Sequence, residues 1–181
     1  MTFARLVQTI LPRLSAAGIP YMVTGSVASS YYCEPRATGD LDVVIEPTAR
    51  SLEALVEGLM ADGFHVDRDE AREALHRHTQ FNAIGPDAFK VDFVIRKDRP
   101  FSALEFERRQ PADLLGVAGF IPTIEDLIVA KLEWAATGPS ELQLRDVTGI
   151  VAVAGDMIDY AYVLRWIKAL KLQEVWNRVR P

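Results

Sequence analysis

A chain of 181 residues with 49% hydrophobic and 25% charged side chains has the make-up of a globular domain with a real core. Its net charge of −5 argues against wrapping long nucleic acid and leaves room for a local basic patch facing an RNA end or a nucleotide. No apolar run approaches the roughly 20 residues of a membrane span, the N-terminus reads as an amphipathic pattern rather than a signal peptide, and the single Cys33 forms no internal disulfide, so a cytoplasmic protein without membrane contact is expected.

Phe3, Leu6, Val7, Ile10, Leu11 and Leu14 recur at helical spacing, with Gly18 as the stop and Pro12 expected to kink or split the helix. A strand from Tyr21, a short helix near Ser26–Tyr32 and a strand from Asp40 follow. Thr48 caps an amphipathic helix bearing Leu52, Leu55, Val56 and Leu59, closed by Gly63. Strands are expected at Phe64–Val66, Thr79–Ile84 and Phe89–Ile95, the last two joined by a Gly85-Pro86-Asp87 turn, with a short helix at Asp69–His76. Residues 96–122 read as loop plus one or two short strands. Thr123 and Asp126 then make a capping box ahead of helices near 123–136, 140–154 and 158–170, with a last one ending near Val179. The predicted class is α+β: a small mixed β-sheet flanked by helices over 1–122, then a C-terminal helical region over 123–181 packed on that core.

The chemistry concentrates in two places. Tyr21-Met-Val-Thr-Gly25-Ser26 runs from strand into a small-residue turn, where backbone N–H groups at a helix N-terminus can approach phosphate oxygens. Asp40-Leu-Asp42-Val-Val-Ile45 is a strand, so Asp40 and Asp42 project to one side while Leu41, Val43 and Ile45 project to the other. Two adjacent carboxylates repel unless a cation sits between them, and hard divalent ions such as Mg²⁺ take oxygen ligands. Together these parts suggest a metal–nucleotide site.

Gly25-Ser26, a spacer, and Arg36-Ala-Thr38-Gly-Asp40-Leu-Asp42 resemble the signature of the DNA polymerase β-like nucleotidyltransferase superfamily. The Arg-x-Thr-x-Asp form is similar to the bacterial minimal branch, which includes the AbiEii-type toxins. The likeness spans roughly residues 20–96. It implies a third carboxylate on a later strand, for which Asp92 in Val91-Asp-Phe-Val-Ile95 is the candidate, facing away from the core with Lys90. It further implies Asp40, Asp42 and Asp92 as metal-binding and catalytic residues. Mg²⁺, or Mn²⁺ in its place, would be the cofactor and a nucleoside triphosphate the donor. Gly25 and Ser26 would hold the phosphates. Nucleoside monophosphate would pass to a hydroxyl on RNA, protein or a small molecule, and a toxin role would bring an antitoxin partner.

Other readings stand beside these. Arg36 and Thr38 precede the carboxylates, where the guanidinium either forks onto phosphate or neutralises the aspartates. Lys131 either meets the triphosphate, as the resemblance implies, or snorkels to the surface. A catalytically silent nucleotide- or partner-binding member of the fold, or a metal-dependent phosphohydrolase, would share much of this pattern. A haloacid dehalogenase-type phosphatase is disfavoured because Pro35–Gly39 before Asp40 is turn-like rather than a hydrophobic strand. Arg145 and Asp146 are read as a helix-anchoring pair ahead of a site role, and Arg96, Lys97, Arg99, Arg108 and Arg109 as a solvated loop ahead of an acceptor-RNA contact. His76 and His78 are not read as zinc ligands. Trp134, Trp166 and Trp176 are read as core or helix-packing residues, and Cys33 as a small buried hydrophobe.

Overall fold

The computed structural model describes residues 2–35, 37–138 and 141–179. Helix α1 (Phe3–Ala16) is followed by β1 (Tyr21–Val23), α2 (Gly25–Tyr32) and β2 (Asp40–Ile45). Next come α3 (Ala49–Ala61), β3 (His65–Val66), α4 (Arg68–Arg77), β4 (Gln80–Ile84) and β5 (Lys90–Ile95). After β5 lie α5 (Pro100–Glu107), the hairpin β6 (Gln110–Asp113) and β7 (Ala118–Ile121), and helices α6 (Ile124–Thr137), α7 (Glu141–Ala154), α8 (Tyr160–Ala169) and α9 (Gln173–Asn177).

Five strands form one mixed sheet in the order β1-β2-β5-β4-β3, with β2 and β5 parallel and the other pairs antiparallel. The period-two pattern of β2 and β5 sets the two faces of this sheet. Leu41, Val43, Ile45, Val91, Phe93 and Ile95 are all buried and join Leu6, Ile10 and Leu14 of α1 and Leu52, Leu55 and Leu59 of α3 in one core. Phe81 and Phe93, register partners across β4 and β5, stack with ring centroids 5.1 Å apart, a cross-strand pair that pins this register. The other face carries Asp40, Asp42, Lys90 and Asp92. The predicted mixed sheet with flanking and C-terminal helices is therefore the observed architecture.

Two features differ from the sequence reading for local reasons. Pro12 does not split α1, which runs unbroken over 14 residues; the proline is exposed, so the hydrogen bond it cannot donate is lost at the solvent face. Residues 96–122 contain a helix as well as strands. Pro100 occupies the first turn of α5, where a missing N–H costs nothing. The helix escapes a periodicity reading because it buries Ser102 and Glu105 along with Phe101 and Phe106.

Candidate active-site cleft

The parallel pairing of β2 with β5 sets Asp42 directly opposite Asp92 and Asp40 opposite Lys90. Asp40 is exposed at the start of its strand, whereas Asp42 and Asp92 are half-buried. Asp42 has its carboxyl pushed above the ordinary carboxylate range, first by burial and then by the charges of Asp92 and Asp40, with Lys131 and Lys90 acting the other way. Lys90 reaches along its own strand to Asp92 at 2.8 Å.

Gly25 opens α2 with φ of +63°. A Cβ built there would sit 1.9 Å from an Asp42 carboxylate oxygen, so this position admits only glycine, for its conformation and for its space. Thr24 N–H donates to the Asp42 carbonyl at 2.9 Å, locking the turn to β2. Thr24 makes no side-chain cap, and first-turn amides have no intrahelical acceptor. The N-terminus of α2 thus presents donors beside Asp42.

Ser26 is buried, and its hydroxyl donates to Thr38 Oγ1 at 2.9 Å. Thr38 in turn donates to the Asp40 carbonyl and accepts from the Asp40 N–H. These two residues clamp the start of β2 to α2. Arg36 lies outside the described residues.

Lys131 is no snorkelling surface lysine. It is 3% exposed, and its ammonium donates to Asp146 at 2.8 Å and Gln143 at 2.9 Å. Asp146 is buried and so pairs with Lys131 across α6 and α7 rather than with Arg145, which points to solvent. The basic stretch also departs from a solvated loop: Arg96 pairs with Glu46, Arg99 forks onto Glu133, and Arg108 binds Asp126.

Gly25, Asp42, Asp92 and Lys131 line a single cleft of about 630 Å³, within the range of small-molecule sites. Val44, Val94 and Gln80 extend its floor, and α6 and the segment from Arg96 to Glu105 form its walls. The oxygen-only donors of Asp42 and Asp92 suit a hard divalent cation, and their mutual charge would be relieved by one. Among the described residues no three carboxylate, histidine or cysteine side chains are gathered as a ready metal cage. His76 and His78 accordingly belong to no such cluster.

No family model and no curated protein matches the chain. Its backbone is similar to that of ANT(2'')-Ia in complex with adenylyl-2''-tobramycin, with a TM-score of 0.67 at 14% identity over 94% of this chain and 99% of that one. It is also similar to the lincosamide antibiotic adenylyltransferase LnuA bound to lincomycin, with a TM-score of 0.58 at 12% identity over 84% and 98% of the two chains. An antigenic nucleotidyltransferase-like protein from Paracoccidioides brasiliensis gives a TM-score of 0.56 at 18% identity over 82% and 75%. This chain has the nucleotidyltransferase fold.

Two cleft residues are invisible to pattern reading. Glu105 on α5 is 8% exposed, and among the described residues its carboxyl makes no hydrogen bond or ion pair. Burial, followed by the charges of Asp126 and Glu133, pushes it up to about 8. Trp134 on α6, expected in the core, is 54% exposed at the cleft wall. Only the discovery of α5 and the facing of α6 reveal either one. Among the described residues, no helix is long and apolar enough to cross a membrane.

Proposed function

We propose that this protein is a nucleotidyltransferase that moves a nucleoside monophosphate from a nucleoside triphosphate to a hydroxyl of a small-molecule acceptor. The observation that carries this reading is the Asp42–Asp92 pair, packed against Gly25 at a helix N-terminus on the floor of a ligand-sized cleft. The fold shared with two antibiotic-directed transferases supports a small acceptor over RNA, protein or an antitoxin-partnered toxin role.

In this reading the acceptor oxygen attacks the α-phosphorus, the bond to the bridging α–β oxygen breaks, and pyrophosphate leaves. The α2 amides, with Gly25 leaving room for close approach, bind the triphosphate. In the same reading Asp92 takes the acceptor's proton, which requires Lys90 to leave its ion pair with Asp92. Asp42 and Asp92, with Asp40 at the rim, would hold Mg²⁺ or Mn²⁺. Bound there, the ion supplies a lowered pKa for the attacking hydroxyl and charge neutralisation for the leaving group.

The Lys90–Asp92 ion pair favours a second reading, a member that binds nucleotide without turning it over. Incubation with each labelled triphosphate, Mg²⁺ and a panel including tobramycin and lincomycin separates the two. Nucleotidylated acceptor with pyrophosphate release supports transfer. Binding without release supports the silent member, and orthophosphate release points to a phosphohydrolase.

A further inference from the structure

Trp134 stands apart from the other two tryptophans. Trp176 is buried, and Trp166 packs edge-on to Phe101 and Tyr162. Trp134 is 54% exposed, and among the described residues no ring or guanidinium stacks on it. An uncovered indole on the lining of a ligand-sized cleft offers a large flat apolar surface to whatever the cleft binds.

Its position says which part of a ligand that would be. Trp134 follows Lys131 by three residues on α6, so the two are neighbours on the helix surface. Its backbone position is displaced ~4.5 Å along the axis, at 1.5 Å per residue. Both line the cleft that holds Asp42 and Asp92. The lining also includes the apolar Ala130, Leu170 and Leu172. The cleft therefore combines carboxylates, helix-terminal amides and Lys131 with an exposed indole and aliphatic side chains. A nucleoside triphosphate has the complementary parts, anionic at one end and a flat apolar-faced ring at the other.

We propose that Trp134 is the platform on which the nucleobase of the donor nucleotide stacks. The proposal rests on the nucleotidyltransferase reading above and adds the residue that holds the base. Stacking uses a face that every base possesses, so Trp134 serves all four triphosphates with modest preference.

The test is calorimetric titration of wild type, Trp134→Ala and Trp134→Phe with ATP and with inorganic tripolyphosphate, each with Mg²⁺. Because the indole is largely exposed, Trp134→Ala should keep the wild-type melting temperature. Its affinity for ATP is expected to fall about five- to 150-fold, the span of base–aromatic stacking, while tripolyphosphate binds as before. Trp134→Phe should recover most of the loss. Equal ATP affinity in wild type and Trp134→Ala overturns the stacking role while the transferase reading stands. A parallel loss for tripolyphosphate also overturns it, since the indole would then act on the phosphate end. Failure of wild type to bind either ligand removes the transferase reading, and the platform with it.

Discussion

Replacing Glu105 by Gln tests the electrostatics of the cleft wall. In the unfolded chain this carboxyl ionises near 4.5, and in the folded protein near 8. Between those values the folded state holds a proton that the unfolded state has released, so stability falls as pH rises through that window and levels off above it. At 1.36 kcal/mol per unit, the interval corresponds to about 5 kcal/mol as an upper figure. Asp126 and Glu133 push in the same direction as burial, and Arg99 and Lys97 oppose them. Gln has nearly the same size and no charge to desolvate. Glu105→Gln should therefore lie within about 1 kcal/mol of wild type at pH 5 and exceed it by several kcal/mol at pH 8, roughly 10 °C in melting temperature for a chain this long. Urea or thermal unfolding of both proteins from pH 5 to 9 measures the difference. Parallel profiles would refute the account, because they would mean that Glu105 is ionised or partnered in the folded state.

Three further outcomes follow from the same geometry. Gly25→Ala should lose about 1–3 kcal/mol of stability, the scale of a strained backbone position, and most nucleotide affinity, since its Cβ would collide with Asp42; thermal melts and ATP titration check both. Asp42→Asn should lower transfer at least ~10³-fold yet leave the metal-free protein as stable or more so at neutral pH, because the folded state raises this carboxyl; a destabilised but active variant would contradict the site. Lys131→Ala should destabilise by about 3–5 kcal/mol, the scale of breaking a buried ion pair, here that of Lys131 with Asp146. Asp146→Asn added to Lys131→Ala should recover part of that loss in unfolding experiments.

The parts of this molecule that could be read from sequence are those where one local period governs burial. In β2 and β5 every second residue is fully buried, so alternation alone placed Asp40, Asp42 and Asp92 on one face. Thr48 and Gly63 likewise bound α3 through a capping box and a left-handed glycine, both local devices. Register is a different matter. That Asp42 faces Asp92 rather than Lys90 depends on how a strand near residue 40 meets one near residue 90, information carried by core packing between distant segments. The same holds for Lys131, whose burial is set by a partner on another helix.

The cleft walls were least legible because they break the rules that make elements recognisable. Helix α5 buries a carboxylate and a serine, which hides its period, and α6 buries Glu125, Asp126 and Lys131 along with its apolar residues. Helix α6 can do so because its charges find partners. Asp126 accepts from Thr123, Arg108 and Tyr162, and Lys131 donates to Asp146. Glu105 has no such compensation, yet it lies in the same wall. The cleft lining thus carries, beside the satisfied Lys131, a carboxyl at Glu105 without a hydrogen bond among the described residues and an exposed indole at Trp134. Unmet interactions of opposite character, a buried acid and an uncovered ring, are what a ligand with both polar and flat apolar parts would satisfy.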